Sequence, residues 1–228
     1  MVVSNKTHSF IILIIIWQAF SVLINSDTLP TPLEVMYSIH YHIFEDELLY
    51  HLGITLYRVV ITFVVAMCIG VIFGILMGNY KKVDSNLDFF LIIGLNMPAL
   101  VTIILCYVWF GLTDFSAILA VVLNKVPTVI VTIREGAKAI NVKYMQIAKV
   151  YKLSPYTTFT KIYLPQMYPY IMASARTGLS LIWKIVLVVE LLGRSSGVGF
   201  QLSMFFQFFD ITSILAYSFA FISVVLLI

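Results

Sequence analysis

Residues 53–77 read GITLYRVVITFVVAMCIGVIFGILM, a run in which Arg58 is the only charged side chain. The hydrocarbon core of a bilayer is about 30 Å thick, and an apolar helix of about 20 residues can cross it. A helix is the expected element because it satisfies its own backbone hydrogen bonds in lipid. The run also lacks the alternation of a β-barrel strand. This stretch therefore predicts a membrane-spanning helix.

Similar apolar runs recur along the chain. Of its 228 residues, 61% are hydrophobic and 11% are charged, whereas an average soluble domain has about 25% charged residues. Five further blocks accompany Gly53–Met77: Phe10–Ile24, Phe89–Phe110, Phe115–Ile133, Tyr168–Leu192 and Ile211–Ile228. No small-x-small cleavage pattern follows the first block, which favours a retained helix over a signal peptide. We therefore predict an all-α integral membrane protein with six transmembrane helices.

Charges between the blocks predict the orientation of the helices. The segment between the first two blocks has no Lys or Arg, and its acids are Asp27, Glu34, Glu45, Asp46 and Glu47. The segment between the fourth and fifth blocks has one acid, Glu135, against Arg134, Lys138, Lys143, Lys149, Lys152 and Lys161. Basic loops stay in the cytoplasm, so we predict two cytoplasmic termini and an external acidic loop. The net charge of +3 is then a topology signal and does not indicate nucleic-acid binding.

The external segment Leu29–His51 begins with Pro30 and Pro32 and then predicts a short amphipathic helix at the surface. Three histidines accompany its acids: His40, His42 and His51. No tight metal-binding motif such as H-E-x-x-H is present. We interpret the segment as a solvated helix and predict neither a metal site nor a cofactor.

Small residues and cysteines in the apolar blocks are interpreted as packing features. Ala66, Gly70, Gly74 and Gly78 lie four residues apart on one helix face, a stripe that lets helix backbones approach closely in lipid. Two cysteines, Cys68 and Cys106, fall inside apolar blocks and fit buried packing thiols.

The glycine-rich stretch Gly193–Gly199 resembles a phosphate-binding loop at first sight. It lacks the Gly-Lys-Ser/Thr ending of such a loop and lies on the predicted external side. We interpret it as a flexible external turn, and no ATPase motif occurs elsewhere in the chain.

A helical hairpin is predicted between the fourth and fifth blocks, where residues 146–165 read QIAKVYKLSPYTTFTKIYLP. Proline is tolerated at a helix start and disfavoured inside a helix, so Ser154-Pro155 should separate two helices and Leu164-Pro165 should end the second. A basic, partly amphipathic hairpin on the cytoplasmic side fits docking onto another protein, although such helices also lie on lipid.

The hairpin resembles the EAA loop of ABC importer permeases, whose pattern is E-A-A, three residues, G, nine residues and I-x-L-P. Without gaps, four positions match: Ala148, Ile162, Leu164 and Pro165. Gln146 replaces the acid, Ile147 the first alanine and Lys152 the glycine. The resemblance implies that an ATPase docks at Gln146, Ala148, Lys152, Ile162, Leu164 and Pro165.

The flanking sequence is similar to the sulfonate, taurine and nitrate branch of that family, over about residues 50–228. The matching pieces are Thr55-Leu56-Tyr57-Arg58, the glycine-stepped helix, Tyr80-Lys81-Lys82, Trp109-Phe110-Gly111, Glu190-Leu191-Leu192-Gly193 and Ser195-Ser196-Gly197-Val198-Gly199. The apolar blocks and the charges place a first transmembrane helix and an external segment in residues 1–50. The resemblance implies that a permease transmembrane domain follows in residues 51–228, with its coupling loop at about 141–166.

The same resemblance implies a type I ABC importer permease-like bundle in a bacterial inner membrane. The expected partners are two copies of a cytoplasmic ATP-binding subunit, a second permease copy (usually giving a homodimer), an external solute-binding protein and lipid. The chain itself would be a non-enzymatic subunit. The implied solute is a small anion or zwitterion such as sulfonate, taurine or nitrate, with a neutral heterocycle such as a vitamin precursor as the alternative.

Ionisable residues inside a membrane are costly and are therefore candidates for function. Lys125 and Lys184 lie near the middle of the fourth and fifth predicted helices, and Glu190 lies toward the outer end of the fifth. They form either an internal ion pair or clamp, or a charged pathway or gate. Arg58 lies nearer a helix end and can extend toward the interface.

Two other classes of protein remain as alternatives. A stand-alone secondary transporter or channel would explain the helices and the charges, but not the spacing of the EAA-like positions. A membrane enzyme would need paired catalytic carboxylates, a zinc motif or a Ser/His arrangement, none of which the sequence places suitably.

Overall fold

The computed structural model describes residues 2–24, 26 and 28–227, so Asp27 and Ile228 lie outside the described residues. All regular elements of the described residues are helical, which confirms the all-α class. In chain order they are α1 Val2–Ile24, α2 Pro32–Phe44, α3 Leu48–Asn79, α4 Lys81–Asn96, α5 Ala99–Phe110, α6 Asp114–Lys138, α7 Val142–Val150, α8 Pro155–Thr158, the π-helical turn Phe159–Tyr163, α9 Leu164–Gly193, α10 Val198–Gln207 and α11 Ile211–Leu227.

The chain forms two compact units. The terminal unit combines Met1–Leu56 with Glu190–Ile228, and the central unit is Tyr57–Val189. The long helices α3 and α9 each contribute to both units.

In the central unit, the glycine stripe of α3 packs against α6. A Cβ atom added to Gly74 would lie 2.6 Å from the Cβ atom of Ile133, and Gly70 and Gly78 face Val129 and Ala137 in the same way. The close-packing interpretation of the stripe is confirmed at these three glycines. Because the residue numbers rise together on both helices, α3 and α6 run parallel.

Helix α9 runs antiparallel to this pair. Asn79, at the end of α3, hydrogen-bonds Tyr163 just before α9, whereas Phe63 and Lys125 lie beside Gly178 further along it. The central unit therefore has a core of three long helices, whose small residues allow close approach.

Two charge clusters mark the ends of α6. At its start, Arg58 Nε donates to the Asp114 carboxylate over 2.8 Å. Near its end, Arg134 Nη1 lies 3.1 Å from the carboxylate of Asp84 and 2.6 Å from that of Asp88 on α4. Twenty residues separate Asp114 from Arg134, or about 30 Å of helix, which matches the hydrocarbon thickness of a bilayer.

The guanidinium of Arg58 is buried and pairs with Asp114 at the start of α6. Arg134 and Lys138 lie within α6 and pair with acids. They are therefore not free basic charges of the following loop.

The third predicted span, Phe89–Phe110, is wrong as a single helix. Helices α4 and α5 meet at a bend of 99°, where Met97 is extended and Pro98 precedes α5. Proline lacks an N–H and disfavours the helical conformation of the residue before it, which explains the break.

The bent pair nevertheless crosses the central unit from end to end. It starts after Asn79, at the end of the unit where α3 packs near Ala137 of α6. It leads to Asp114, which pairs with Arg58 near the opposite end of the unit. A re-entrant loop would return the chain to its starting end and make α6 antiparallel to α3. The parallel packing of α3 and α6 identifies α4–α5 as one broken span.

Within the described parts of the chain, α3 and α6 are long and apolar enough to cross a membrane alone, and α4–α5 makes a third span. Ile11–Ile24 of α1 and Ile211–Leu227 of α11 are shorter apolar helices. Six transmembrane helices stay a prediction.

The terminal unit holds α1, α2, α10 and α11. His42 on α2 is buried and lies 3.0 Å from the Ser213 hydroxyl of α11 and 2.7 Å from the Asp46 carboxylate. These contacts bury one face of α2 against the unit and leave its other face exposed. The short helix α10 was not expected from the sequence.

Candidate functional site

The EAA-like segment forms the helical hairpin that the sequence predicts. Helix α7 ends with two backbone hydrogen bonds, from Leu153 N–H to the Ala148 carbonyl (3.0 Å) and from Lys152 N–H to the Lys149 carbonyl (3.1 Å). This pair of bonds is a Schellman motif, which places one residue in the left-handed region, usually a glycine. Here that residue is Lys152, with φ 48°. The geometry explains why the related pattern has glycine at this position.

The second arm of the hairpin begins with a side-chain cap. The Ser154 hydroxyl accepts from Thr157 N–H over 3.1 Å, and Pro155 occupies the first helical position, where its missing N–H leaves no bond unmade.

The expectation that Leu164-Pro165 ends the second arm is wrong. Helix α8 continues through a π-helical turn, Phe159–Tyr163, directly into α9. Proline inside a helix removes one backbone hydrogen bond and clashes with the preceding turn. The wider π turn before Pro165 provides room for its ring, so the hairpin arm and the long helix form one continuous helical element.

The base of the hairpin is fixed to the three-helix core. Asn79 Nδ2 donates to the Tyr163 hydroxyl over 2.7 Å, and Asn141 N–H donates to Gln166 Oε1 over 3.0 Å. Burial raises the pKa of Tyr163, although the Asn79 hydrogen bond opposes it, so this hydroxyl stays neutral. Tyr163 belongs to a buried apolar cluster with Val129, Ile133, Ala137 and Met167.

The six predicted coupling residues fall into two groups. Ala148 forms one group, since it is only 3% exposed and packs within the hairpin. The other group is at least partly accessible: Ile162 is half-buried, and the exposed residues are Gln146, Lys152, Leu164 and Pro165. Sequence reasoning missed three exposed apolar or aromatic side chains around the turn: Val150, Tyr151 and Tyr156. Their sequence position beside the predicted turn at Ser154-Pro155 could have identified them as candidates for the exposed tip of the hairpin.

Of the two candidate lysines, only Lys125 is buried. Its side chain is on α6, where a Cβ atom at Gly178 of α9 would lie 3.2 Å from the Lys125 Cε atom. The described residues provide no hydrogen bond or ion pair to its ammonium group. Lys125 lies about midway between Asp114 and Arg134 and hence near the centre of the span. Lys184, on α9, is exposed on the surface of the subunit.

Glu190 lies in the terminal unit at the centre of a buried polar cluster. Its carboxylate accepts from the Thr55 hydroxyl and from Gly199 N–H, each over 2.9 Å. Thr55 in turn accepts from Val198 N–H over 2.8 Å, and His51 Nδ1 accepts from Gly197 N–H over 3.0 Å. These acceptors satisfy the backbone N–H groups at the start of α10, which lack helical partners.

The interpretation of Gly193–Gly199 as a flexible turn is therefore wrong for its second half. Val198 and Gly199 are buried, and Gly197 has φ 107°, a conformation that favours glycine. A Cβ atom at Gly197 would collide with the Glu190 carboxyl group. Glu190 thus has a clear structural role as the anchor of this turn.

Comparisons with known proteins assign the chain to a family. Residues 70–228 match the protein family described as "Binding-protein-dependent transport system inner membrane component". A putative aliphatic sulfonates transport permease of Bacillus subtilis is 30% identical over 207 residues, covering 90% of this chain and 75% of the relative. A nitrate import permease of Synechococcus elongatus is 26% identical, covering 83% and 71%.

A third relative is a putative ABC transporter permease of Methanocaldococcus jannaschii, 24% identical, with 82% of this chain and 72% of the relative covered. The family match includes the hairpin, α6, α9 and Glu190, and it agrees with the resemblance drawn from the motifs. The chain therefore belongs to the binding-protein-dependent transport system inner membrane components, the permeases of ABC transporters.

Proposed function

We propose that the chain is the membrane permease subunit of an ATP-driven importer and that its α7–α8 hairpin docks onto a separate cytoplasmic ATPase. The supporting observation is the construction of the hairpin. Its turn exposes Val150, Tyr151 and Tyr156, while its base is hydrogen-bonded and packed into the three-helix core. Exposed aromatic side chains on a rigid support suit a protein contact.

The continuity of α8 with α9 supports a role in coupling. A force on the turn passes along an unbroken helical element to Gly178, beside Lys125 and Phe63. Closure of two ATPase subunits would therefore move the hairpin and α9 together, as in rigid-body switching between two states. A second permease copy would complete the pathway, and an external solute-binding protein would deliver the solute.

The proposed orientation puts the hairpin and both termini in the cytoplasm and the Glu45–Glu47 loop outside, as the basic and acidic segments suggest. A cysteine at Glu45 in intact cells should react with a membrane-impermeant maleimide, whereas a cysteine at Lys149 should react only after permeabilisation. Both positions are exposed, so burial does not confuse the comparison. The reverse pattern would contradict the orientation.

The proposed solute is a small anion or zwitterion, such as a sulfonate, taurine or nitrate. Two relatives carry sulfonate or nitrate in their names. Lys184 offers an exposed cation and Lys125 a buried one near the middle of the membrane. In a low-dielectric pathway such charges attract an anion more strongly than they would in water.

Uptake by the reconstituted transporter with its binding protein tests this assignment. Lys184→Met should lower anion uptake severalfold without loss of the ATPase, and Lys184→Arg should retain uptake because it keeps the positive charge. Lys125→Met removes the buried charge at similar side-chain length and should also lower uptake. If both methionine variants assemble and transport normally, or if the native solute is neutral, the anion assignment fails.

A further inference from the structure

Helix α2 has an exposed face of unusual composition. Leu33, Met36, Tyr37, Tyr41 and Phe44 follow helical spacing and are between 49% and 75% exposed. The opposite face buries Val35 together with His42, which hydrogen-bonds Asp46 and Ser213. In a helix at the surface of a soluble protein, the exposed face is the polar one. Here the exposed face is mostly apolar and aromatic: His40 is the polar side chain within it, and Glu34 lies at its edge, where its carboxylate accepts from Thr31 N–H at the start of the helix.

The apolar face of α2 continues onto α1. Consecutive side chains Ile11, Ile12 and Leu13 are each about half exposed or more, and consecutive residues of a helix point 100° apart, so α1 is apolar around most of its circumference. A helix of this kind is surrounded by lipid. A groove of about 890 Å³ joins the two helices and is lined by side chains that include Ile15, Val22, Leu33 and Met36.

We infer that the α2 face formed by Leu33, Met36, Tyr37, Tyr41 and Phe44 contacts membrane lipid, and that acyl chains fill the groove between α1 and α2. Tyrosines are enriched where a membrane protein meets the bilayer interface. An amphipathic helix at that interface buries its apolar face among acyl chains. The capping box of Thr31 and Glu34 fixes where α2 begins. This start lies beside α1, because Trp17 Nε1 on α1 donates to the Pro30 carbonyl over 3.0 Å.

A lipid contact explains the groove better than a protein partner does. The groove is almost entirely apolar, and its α1 side belongs to a helix that exposes apolar side chains around most of its circumference. Lipid can surround such a surface, whereas a protein partner would bury one side of it. The lipid contact of α2 is independent of the proposed solute and ATPase.

Spin labels on α2 test the lipid contact in the complete transporter. In a background with Cys68→Ala and Cys106→Ala, a nitroxide is attached at Met36→Cys, Tyr37→Cys or Phe44→Cys, and Glu45→Cys is the matched control just beyond the helix. The protein is reconstituted in vesicles of phosphatidylethanolamine and phosphatidylglycerol. Collisions with oxygen, which concentrates in hydrocarbon, are compared with collisions with the water-soluble complex of nickel and ethylenediaminediacetate.

Oxygen should collide severalfold more often than the nickel complex at positions 36 and 37, and the preference should reverse at position 45. Position 44 gives an independent reading of the same face, because its side chain is also exposed and its replacement leaves no internal cavity. Equal access of the nickel complex at positions 36 and 45 would mean a solvated helix and would overturn the inference. Exclusion of both reagents at positions 36, 37 and 44 would mean that protein covers the face, which would overturn it as well.

Discussion

Ala148→Arg should reduce ATP-driven uptake to background while the three-helix core stays folded. Ala148 is 3% exposed within the hairpin, so an arginine there either opens the hairpin or buries an unpaired charge, at a cost on the order of 3–5 kcal/mol. The opened turn would no longer present its exposed side chains to the ATPase. Uptake in proteoliposomes, ATPase activity and co-purification of the ATPase measure the three consequences separately.

A surface variant separates docking from hairpin folding. Tyr156 is 78% exposed near the turn, so Tyr156→Glu leaves the packing of the hairpin unchanged and adds an acid to the proposed contact. It should weaken co-purification of the ATPase while the melting temperature of the permease stays close to wild type. Wild-type association and uptake in both Ala148→Arg and Tyr156→Glu would refute the coupling role of the hairpin.

Lys152→Gly is the matched control, because it changes the same turn in the favourable direction. A non-glycine residue in the left-handed region costs roughly 1–2 kcal/mol, and the greater freedom of glycine in the unfolded chain returns part of that gain. The net stabilisation should be about 0.5–1 kcal/mol. Retained or tighter ATPase association is expected, and this outcome also excludes a general intolerance of the turn to substitution.

Gly197→Ala should be strongly destabilising despite adding one methyl group. The new Cβ atom would collide with the buried Glu190 carboxyl group, and φ 107° disfavours any residue with a side chain. Backbone strain and overpacking each cost about 1–3 kcal/mol. The expected result is a large fall in the thermal stability of the purified permease, measured by the loss of the monodisperse peak on heating.

Three further variants identify the cause. Gly53→Ala is the control in the same unit, because open space surrounds Gly53 on α3. There alanine should be neutral or stabilising by up to about 1 kcal/mol. Glu190→Ala alone should destabilise, since Thr55 and Gly199 lose their acceptor. Gly197→Ala combined with Glu190→Ala should cost less than the sum of the single variants, because the collision is gone. Simple additivity would contradict the proposed clash.

Several features of this protein could be predicted from local sequence. Long apolar runs determined the helical class, since only such helices satisfy their backbone in lipid. The stripe Gly70, Gly74 and Gly78 predicted a close helix contact, because four-residue spacing places these glycines on one face whatever the partner. The spacing of Ala148 and Ile162-x-Leu164-Pro165 indicated the hairpin and the family, since a turn and its two flanking helices are set by short-range bonds.

Other features depend on contacts between distant segments, and only the tertiary structure decided them. Glu190 anchors a turn because Thr55, far away in the sequence, lies beside it. Both lysines lie in apolar helices, but Lys125 is buried where α9 places Gly178 against its side chain, whereas Lys184 is exposed on the surface of α9. The break at Pro98 was hidden in a continuous apolar run. An apolar run indicates that its side chains avoid water, but it does not show whether the helix is continuous. The parallel packing of α3 and α6 shows that α4 and α5 cross the unit as one broken span.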